Sequence, residues 1–409
     1  MKWKPFWRLP VTEHSGTGEQ SGAGEHKKIL HLFPEFKRGG AQINVLRFIN
    51  ASLDDFEHHV AAAPQDKTLE AEYDASGTVV HPIDMTSVKL RSIRALVKLI
   101  KELKPDIVHV NGKGAAFYGF ISSFFTVFQV PGRRSPESRS YRMFHTMRGF
   151  HIKYSGMKLK AYLAFERAVA RRMDGTVLVS PSEKELLNTK IPGLDQSRLF
   201  LIPNGININD AELPADISRC LESYSKNIVT LSRLSHQKDL ITMVDAFDLF
   251  AGDIGDAALH VMGGETPQDR EYAGTVRRRI EQSPYKERIF LWGSVKDAGS
   301  LLRYFDLYWS TALFEGLPTA VVEAALCRIP IVGTDCVGNK DLIIPGKTGI
   351  LTSPGDASDN AEGIREAVTL LEKGKFVSFV DEAERICLEF SPENNVLKIK
   401  EMYRSVSED

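Results

Sequence analysis

The chain has little that would staple it, anchor it or drive it onto nucleic acid. Only four cysteines occur in 409 residues (Cys220, Cys327, Cys336, Cys387), and no two form a C-x-x-C pair. That excludes a disulfide framework and a thiolate zinc site, and favours a reducing compartment. No run of about 18 apolar residues exists, so a spanning helix is not expected. The longest candidate, 117–130 (FYGFISSFFTVFQV), is broken by Gly119, Ser122, Ser123 and Gln129 and reads as a buried core helix. The opening MKWKPFWRLP lacks the apolar stretch of a signal peptide. Neither sign of charge is in excess: 52 basic against 53 acidic residues give a net charge of -1, which offers no bulk attraction for nucleic acid. No Asp-x-Asp triplet is present to hold a divalent metal, and no metal or cofactor is expected.

What is there belongs to a globular protein, 43% hydrophobic and 26% charged, and its length calls for two domains. Residues 1–26 are small and polar enough to read as a flexible tail. From Ile29 onward, short apolar runs alternate with stretches of helical period. Strands are expected at 28–33, 106–110, 176–179 and 199–202, with helices at 41–53, 88–103 and 182–188. The pattern lapses over 207–226, read as a linker, and restarts with strands at 228–231, 258–262, 288–292, 307–309 and 331–333 and helices at 240–250 and 272–281. This alternation predicts an α/β protein of two doubly wound, Rossmann-like domains, 27–206 and 227–390, facing a cleft. The segment 391–409 reads as a terminal helix.

Chemistry concentrates in FEGLPTAVVEA. Pro318 suits the start of a helix, Gly316 lets a ligand approach the backbone, and the free amides of the first turn form an anion site. Glu315 and Glu323 flank that turn and suit the hydroxyls of a sugar or ribose. Two glutamates spaced in this way are, in isolation, more often a cap and a solvated side chain. Arg233 and Lys238, after the strand 228–231, can clamp a diphosphate, one by its fork and one as a point charge.

The neighbouring residues carry a resemblance. FEGLPTAVVEAALCRIPIVGTDCVGNKDLIIPGKTGIL is similar to the C-terminal signature of the retaining GT-B glycosyltransferases of family 4. RGGAQ, DIVHV, IPNGI, LSRLSHQKDL and the closing SPENNVLKIKEMYRSV follow in the family's order, from Ile29 to about Val406. The resemblance implies a nucleotide-diphosphate sugar as donor and a glycan or lipid-linked acceptor in cell-surface polysaccharide or lipopolysaccharide synthesis. It implies that Arg233 and Lys238 hold the donor diphosphate and stabilise the leaving group. Glu323 would take the ribose hydroxyls, Glu315 those of the transferred sugar, and the backbone of Gly316, Leu317 and Thr319 the phosphate. Gly39 and Gly40 would let the first loop approach the diphosphate, and 391–409 would pack back on the N-terminal domain. It also implies front-face attack with retention, the departing phosphate taking the acceptor proton; no nucleophile is assigned.

Three positions depart from the family. Arg148 stands where the cleft segment usually has its first histidine, while His151 matches the second; both are candidates on the acceptor side. Arg328 and Asn339 stand where glycine is usual. These departures keep a non-catalytic GT-B scaffold as an alternative, beside a nucleotide-sugar epimerase of the same fold, which would need acid and histidine groups for proton abstraction. The region 133–172 is basic with interleaved aromatics, and reads either as a solvated face or as a surface for anionic lipid; no nucleic-acid recognition module accompanies it. The expected location is cytoplasmic, peripheral to the inner face of the membrane. Gly346-Lys347-Thr348 and Gly112-Lys113-Gly114 lack the further glycine that a phosphate or dinucleotide loop needs.

Overall fold

The computed structural model describes residues 26–37, 39–126, 140–150 and 155–405. Among these the chain forms two compact units, one running up to Gly205 and resuming at Pro392, the other spanning Ile206–Ser391.

The first unit is a sheet of seven strands: β1 (Lys27–Glu35), β2 (Phe56–Ala63), β3 (Val79–Pro82), β4 (Ile107–Asn111), β5 (Arg142–Thr146), β6 (Gly175–Leu178) and β7 (Leu199–Leu201). All neighbours are parallel, in the order β3-β2-β1-β4-β5-β6-β7. A parallel sheet needs a crossover for every strand, so helices cover both faces and the strands are buried. The terminal helix Pro392–Ser405 belongs to this unit: Val396, Ile399, Met402 and Tyr403 share one apolar cluster with Ile29, Phe48, Ile107 and Phe144. The Asn395 amide donates to the Pro203 carbonyl at 2.5 Å.

The second unit repeats the plan with six parallel strands: β8 (Lys226–Leu231), β9 (Ala257–Met262), β10 (Ile289–Gly293), β11 (Leu307–Ser310), β12 (Ile331–Thr334) and β13 (Ile350–Thr352). Their order is β10-β9-β8-β11-β12-β13. Winding reverses between β1 and β4 in one sheet and between β8 and β11 in the other. In open α/β sheets, ligands sit beyond the carboxyl ends of the strands at that reversal.

Several expectations need correction. The stretch expected as a linker contains the helix Ala215–Glu222 and the first residue of β8. The apolar segment expected as a buried helix over 117–130 is instead the end of a helix, Gly112–Phe125, whose last residues Phe124 and Phe125 are 55% and 60% exposed; 127–130 lie outside the described residues. β2, β3, β5 and β13 were not anticipated. β2 carries two adjacent histidines at its centre, and both are buried with polar partners: His58 Nδ1 lies 3.3 Å from His31 Nε2, and His59 Nδ1 lies 3.2 Å from His81 Nε2.

Arg328 follows the helix Thr319–Leu326 with φ of 59°. That left-handed conformation explains why glycine suits the position, and costs an arginine about 1–2 kcal/mol. Arg328 is held there by Asp381, at 2.6 Å, and by Glu384.

Candidate functional site

Both loops at the reversal of the second sheet carry residues named from the sequence. Beyond β8 the chain passes Arg233 and Ser235 to a short turn His236–Lys238, then enters the helix Leu240–Phe250 through Asp239. Asp239 has φ of 47° and accepts from the Thr242 hydroxyl at 2.6 Å, so it caps the helix and fixes where Lys238 leaves the backbone. Beyond β11 the chain runs through Thr311, Phe314 and Glu315 to Pro318. Pro318 is the residue before the helix Thr319–Leu326 rather than within its first turn. Its carbonyl accepts from the Val321 and Val322 amides, no side chain caps the helix, and the Thr319 and Ala320 amides stay outside the helical ladder.

The two loops are laced together. The Leu313 amide donates to the Gln237 carbonyl at 2.9 Å, the Gln237 side chain to the Phe314 carbonyl at 2.9 Å, and the Thr311 hydroxyl to the Lys238 carbonyl at 2.9 Å. On this frame Lys238 Nζ pairs with Glu315 Oε1, while Gln237 Nε2 donates to Glu315 Oε2 at 3.2 Å. The side chains of Lys238 and Glu315 are only 19% and 10% exposed, so the pair is largely out of water. The sequence reading gave these two residues to different parts of a ligand; the structure brings them into contact.

Arg233 stands apart from that pair. It is 53% exposed and its Nη1 meets Asp269 Oδ2 at 3.2 Å. Its loop fits over Gly263, whose φ of 152° and lack of a side chain let the backbone lie against the Ser232 carbonyl. Glu323 lies four residues into its helix with its carboxylate against Gly299: a Cβ there would stand 2.6 Å from Glu323 Cδ. Both Glu315 and Glu323 act on Tyr308 of β11, whose phenol burial already raises well above its ordinary range.

Gly338 was not singled out from the sequence. Its φ is 91°, and a Cβ would lie 2.7 Å from the Gly316 carbonyl oxygen and 2.8 Å from Glu315 Cβ. The Glu315 amide donates to the neighbouring Val337 carbonyl at 2.9 Å, so this turn sets the backbone of Glu315. Gly338→Ala is therefore expected to lower Tm by several degrees and to reduce turnover at least tenfold, read by thermal unfolding and steady-state kinetics. Asn339, next in the chain, is fully buried and donates to the Thr334 carbonyl at 3.1 Å, which accounts for a side chain where glycine is usual.

In the first unit, Gly39 precedes the helix Gly40–Asn50 with an extended backbone, and a Cβ on Gly40 would meet nothing within 4 Å. The fold itself demands neither glycine. Arg148 lies just past β5. Its Nη1 donates to Asn204 Oδ1 at 2.6 Å and its Nη2 to Asn111 Oδ1 at 3.0 Å. His151 lies outside the described residues. The cysteines that are described are all free thiols. No helix among the described residues is long and apolar enough to cross a membrane.

Two doubly wound parallel sheets, with a cationic and acidic site at the reversal of the second, define an α/β protein of two Rossmann-like units. Comparison with known proteins makes this specific. The family model for Glycosyltransferase Family 4 matches residues 38–210, and that for Glycosyl transferases group 1 matches 221–375. The Escherichia coli UDP-Gal:alpha-D-GlcNAc-diphosphoundecaprenol alpha-1,3-galactosyltransferase is 24% identical over 77% of this chain and 79% of its own length. Alpha-maltose-1-phosphate synthase of Mycolicibacterium smegmatis is 23% identical over 92% and 97% respectively. The crystal structure of Anabaena HepE in complex with UDP and glucose matches with a TM-score of 0.76 at 20% identity, covering 93% of this chain and all of that one. The chain belongs to the family 4, group 1 glycosyltransferases of the GT-B fold, and it is a glycosyltransferase.

Proposed function

We propose that the chain transfers a sugar, with retention at the anomeric carbon, from a nucleoside-diphosphate sugar to a hydroxyl of a glycan or lipid-linked glycan in cell-surface polysaccharide synthesis. The observation that carries this reading is the Lys238–Glu315 pair, with Gln237 beside it, at the carboxyl ends of β8 and β11. A diphosphate arriving there meets the Lys238 ammonium, the Arg233 guanidinium and the uncapped amides of the helix Thr319–Leu326. As Lys238 turns to phosphate, Glu315 is freed to accept from sugar hydroxyls, and Glu323 takes the ribose. The sugar C1–O bond to phosphate breaks, a bond to the acceptor oxygen forms on the same face, and the acceptor proton passes to the departing phosphate. The cations and helix amides balance the charge that develops on the leaving group, so the reaction is read as needing no metal. A relative whose name includes a diphosphoundecaprenol acceptor, and a structural neighbour crystallised with UDP and glucose, support the substrate classes.

The acceptor class suggests a membrane surface. Met157 is 86% exposed at the start of the helix Gly156–Arg172, with exposed Lys158 and Lys160 beside it, a combination suited to anionic lipid.

Incubation with UDP-, GDP- and ADP-sugars is expected to give acceptor-dependent release of one nucleoside diphosphate. Arg233→Ala and Glu323→Ala should each lower kcat/KM about 10²–10³-fold. Near-wild-type turnover in either variant would remove that residue from the donor site. An epimerised sugar formed from donor alone would replace transfer by isomerisation.

A further inference from the structure

We infer that Arg148 forms a receptor in the first unit for an oxyanion carried by the acceptor, a phosphate or a carboxylate. The inference rests on the transfer reading above and names the acceptor's chemistry.

The argument begins with what holds the guanidinium. Its two terminal nitrogens donate to the amide oxygens of Asn111 and Asn204, which are neutral. Its Nε is buried and has no partner, and no carboxylate among the described residues lies within ion-pair distance. Carboxylate partners would both orient and cancel the charge; amide oxygens orient it and leave it uncancelled. A half-buried cation held on those terms, with its Nε wholly buried, costs stability, and perturbed charges of this kind cluster at functional sites.

One carboxylate, that of Glu183, bears on Arg148 electrostatically. It makes no ion pair with the guanidinium, accepts from the Phe150 amide at 2.7 Å and the Val179 amide at 2.9 Å, and is raised by burial to about 7, which weakens its answer to the cation. His109 and His145 are buried and held neutral, so neither adds charge of either sign. Arg148 also packs beside the first residue of the helix Gly112–Phe125, its Cγ 4.0 Å from where a Cβ of Gly112 would stand. That helix has no side-chain cap and no acidic residue in its first turn, so its amino end adds positive field. Asn111 is the last residue of β4 and Arg148 lies just past the carboxyl end of β5, on the side of the sheet where such folds take ligands. The remaining Nη hydrogens suit an oxyanion better than a sugar hydroxyl, which would leave the charge unmatched.

The test uses thermal unfolding of the full chain with the nucleoside diphosphate of the productive donor at saturation, so that the diphosphate site is filled. Glucose 1-phosphate, glucuronate and methyl α-glucoside are then added separately. Expected is a rise in Tm with one or both anions and none with the neutral glycoside; the larger response separates phosphate from carboxylate. Arg148→Gln should abolish that rise, measured against its own unliganded midpoint, corresponding to at least a tenfold weaker affinity. Arg148→Lys should keep part of it. No rise with either anion in the wild type, or an undiminished rise in Arg148→Gln, overturns the inference. So does loss of the nucleoside-diphosphate response itself in Arg148→Gln, since Arg148 would then serve the donor. If no nucleoside diphosphate stabilises the wild type, the donor reading fails, while an Arg148-dependent rise with glucose 1-phosphate alone would still support the receptor.

Discussion

Lys238→Ala is expected to lower donor turnover about 10²–10³-fold and, separately, to destabilise the protein by about 3–5 kcal/mol. The two losses have different origins. Turnover falls because a cation that would face the leaving diphosphate is gone. Stability falls because Glu315, 10% exposed, keeps its carboxylate with only the Gln237 amide to answer it. A buried charge stripped of its partner is costly, whereas a neutral pair of similar shape is not. The double variant Lys238→Met with Glu315→Gln is therefore expected to recover most of the lost Tm and none of the lost turnover. Chemical denaturation gives the first quantity and nucleotide release the second. A double variant that regains activity would show the pair to be a structural clamp. A single variant with unchanged Tm would show that the carboxylate rehydrates at no cost.

This pair also marks the limit of what could be read from the chain. Lys238 and Glu315 could each be named from local motifs, because a strand end followed by a helix start is visible as an apolar run with Gly and Pro after it. Their contact could not, since it depends on β8 and β11 being neighbours, and strand order is not written in local periodicity. Gly338 escaped for a related reason: beyond the positive φ of its turn, its need for glycine comes from the backbone of Gly316 and the side chain of Glu315 pressing on it, a contact between the loops after β11 and β12 that no local pattern records. The helix Leu240–Phe250 was legible to the residue, because its apolar face and its Asp239 cap are local. β2 and β5 were missed because His58, His59 and His145 interrupt their apolar runs. The polarity that hid those strands is satisfied by partners drawn from β1, the loop after the first helix and β3 for the β2 histidines.

Those histidines have a consequence of their own: the first unit is expected to lose its cooperative structure near pH 5 while the second survives. His31, His58, His109 and His145 sit in the core of the first sheet, and burial disfavours their charged forms. His58 and His145 are pulled down to about 4 and His109 to about 3, with His31 also well below its ordinary value. In the unfolded chain each titrates near 6.5. Below that pH the unfolded state binds protons that the folded state refuses, so stability is complete above about 6.5 and falls as pH drops towards 4. His58, His109 and His145 each contribute about 1.4 kcal/mol per pH unit, or about 6 kcal/mol together at pH 5, and His31 adds in the same sense. Glu183 acts in the opposite sense. Burial raises it to about 7, so the folded state gains protons first as pH falls and recovers about 2–3 kcal/mol. The net loss of about 3–4 kcal/mol, to which His31 adds, is a large share of an ordinary domain's stability. In the second unit His260 alone is lowered in this way, to about 4, and the corresponding loss is about 2 kcal/mol. Hydrogen exchange across pH 7 to 4 should show β1, β4 and β5 losing protection before β8 and β9. The terminal helix should open with them, because Tyr403 OH meets His109 Nδ1 at 2.5 Å and a protonated ring would present a second donor there. Protection lost together in both sheets, or retained in the first at pH 4.5, would mean that these histidines take up protons without leaving the fold.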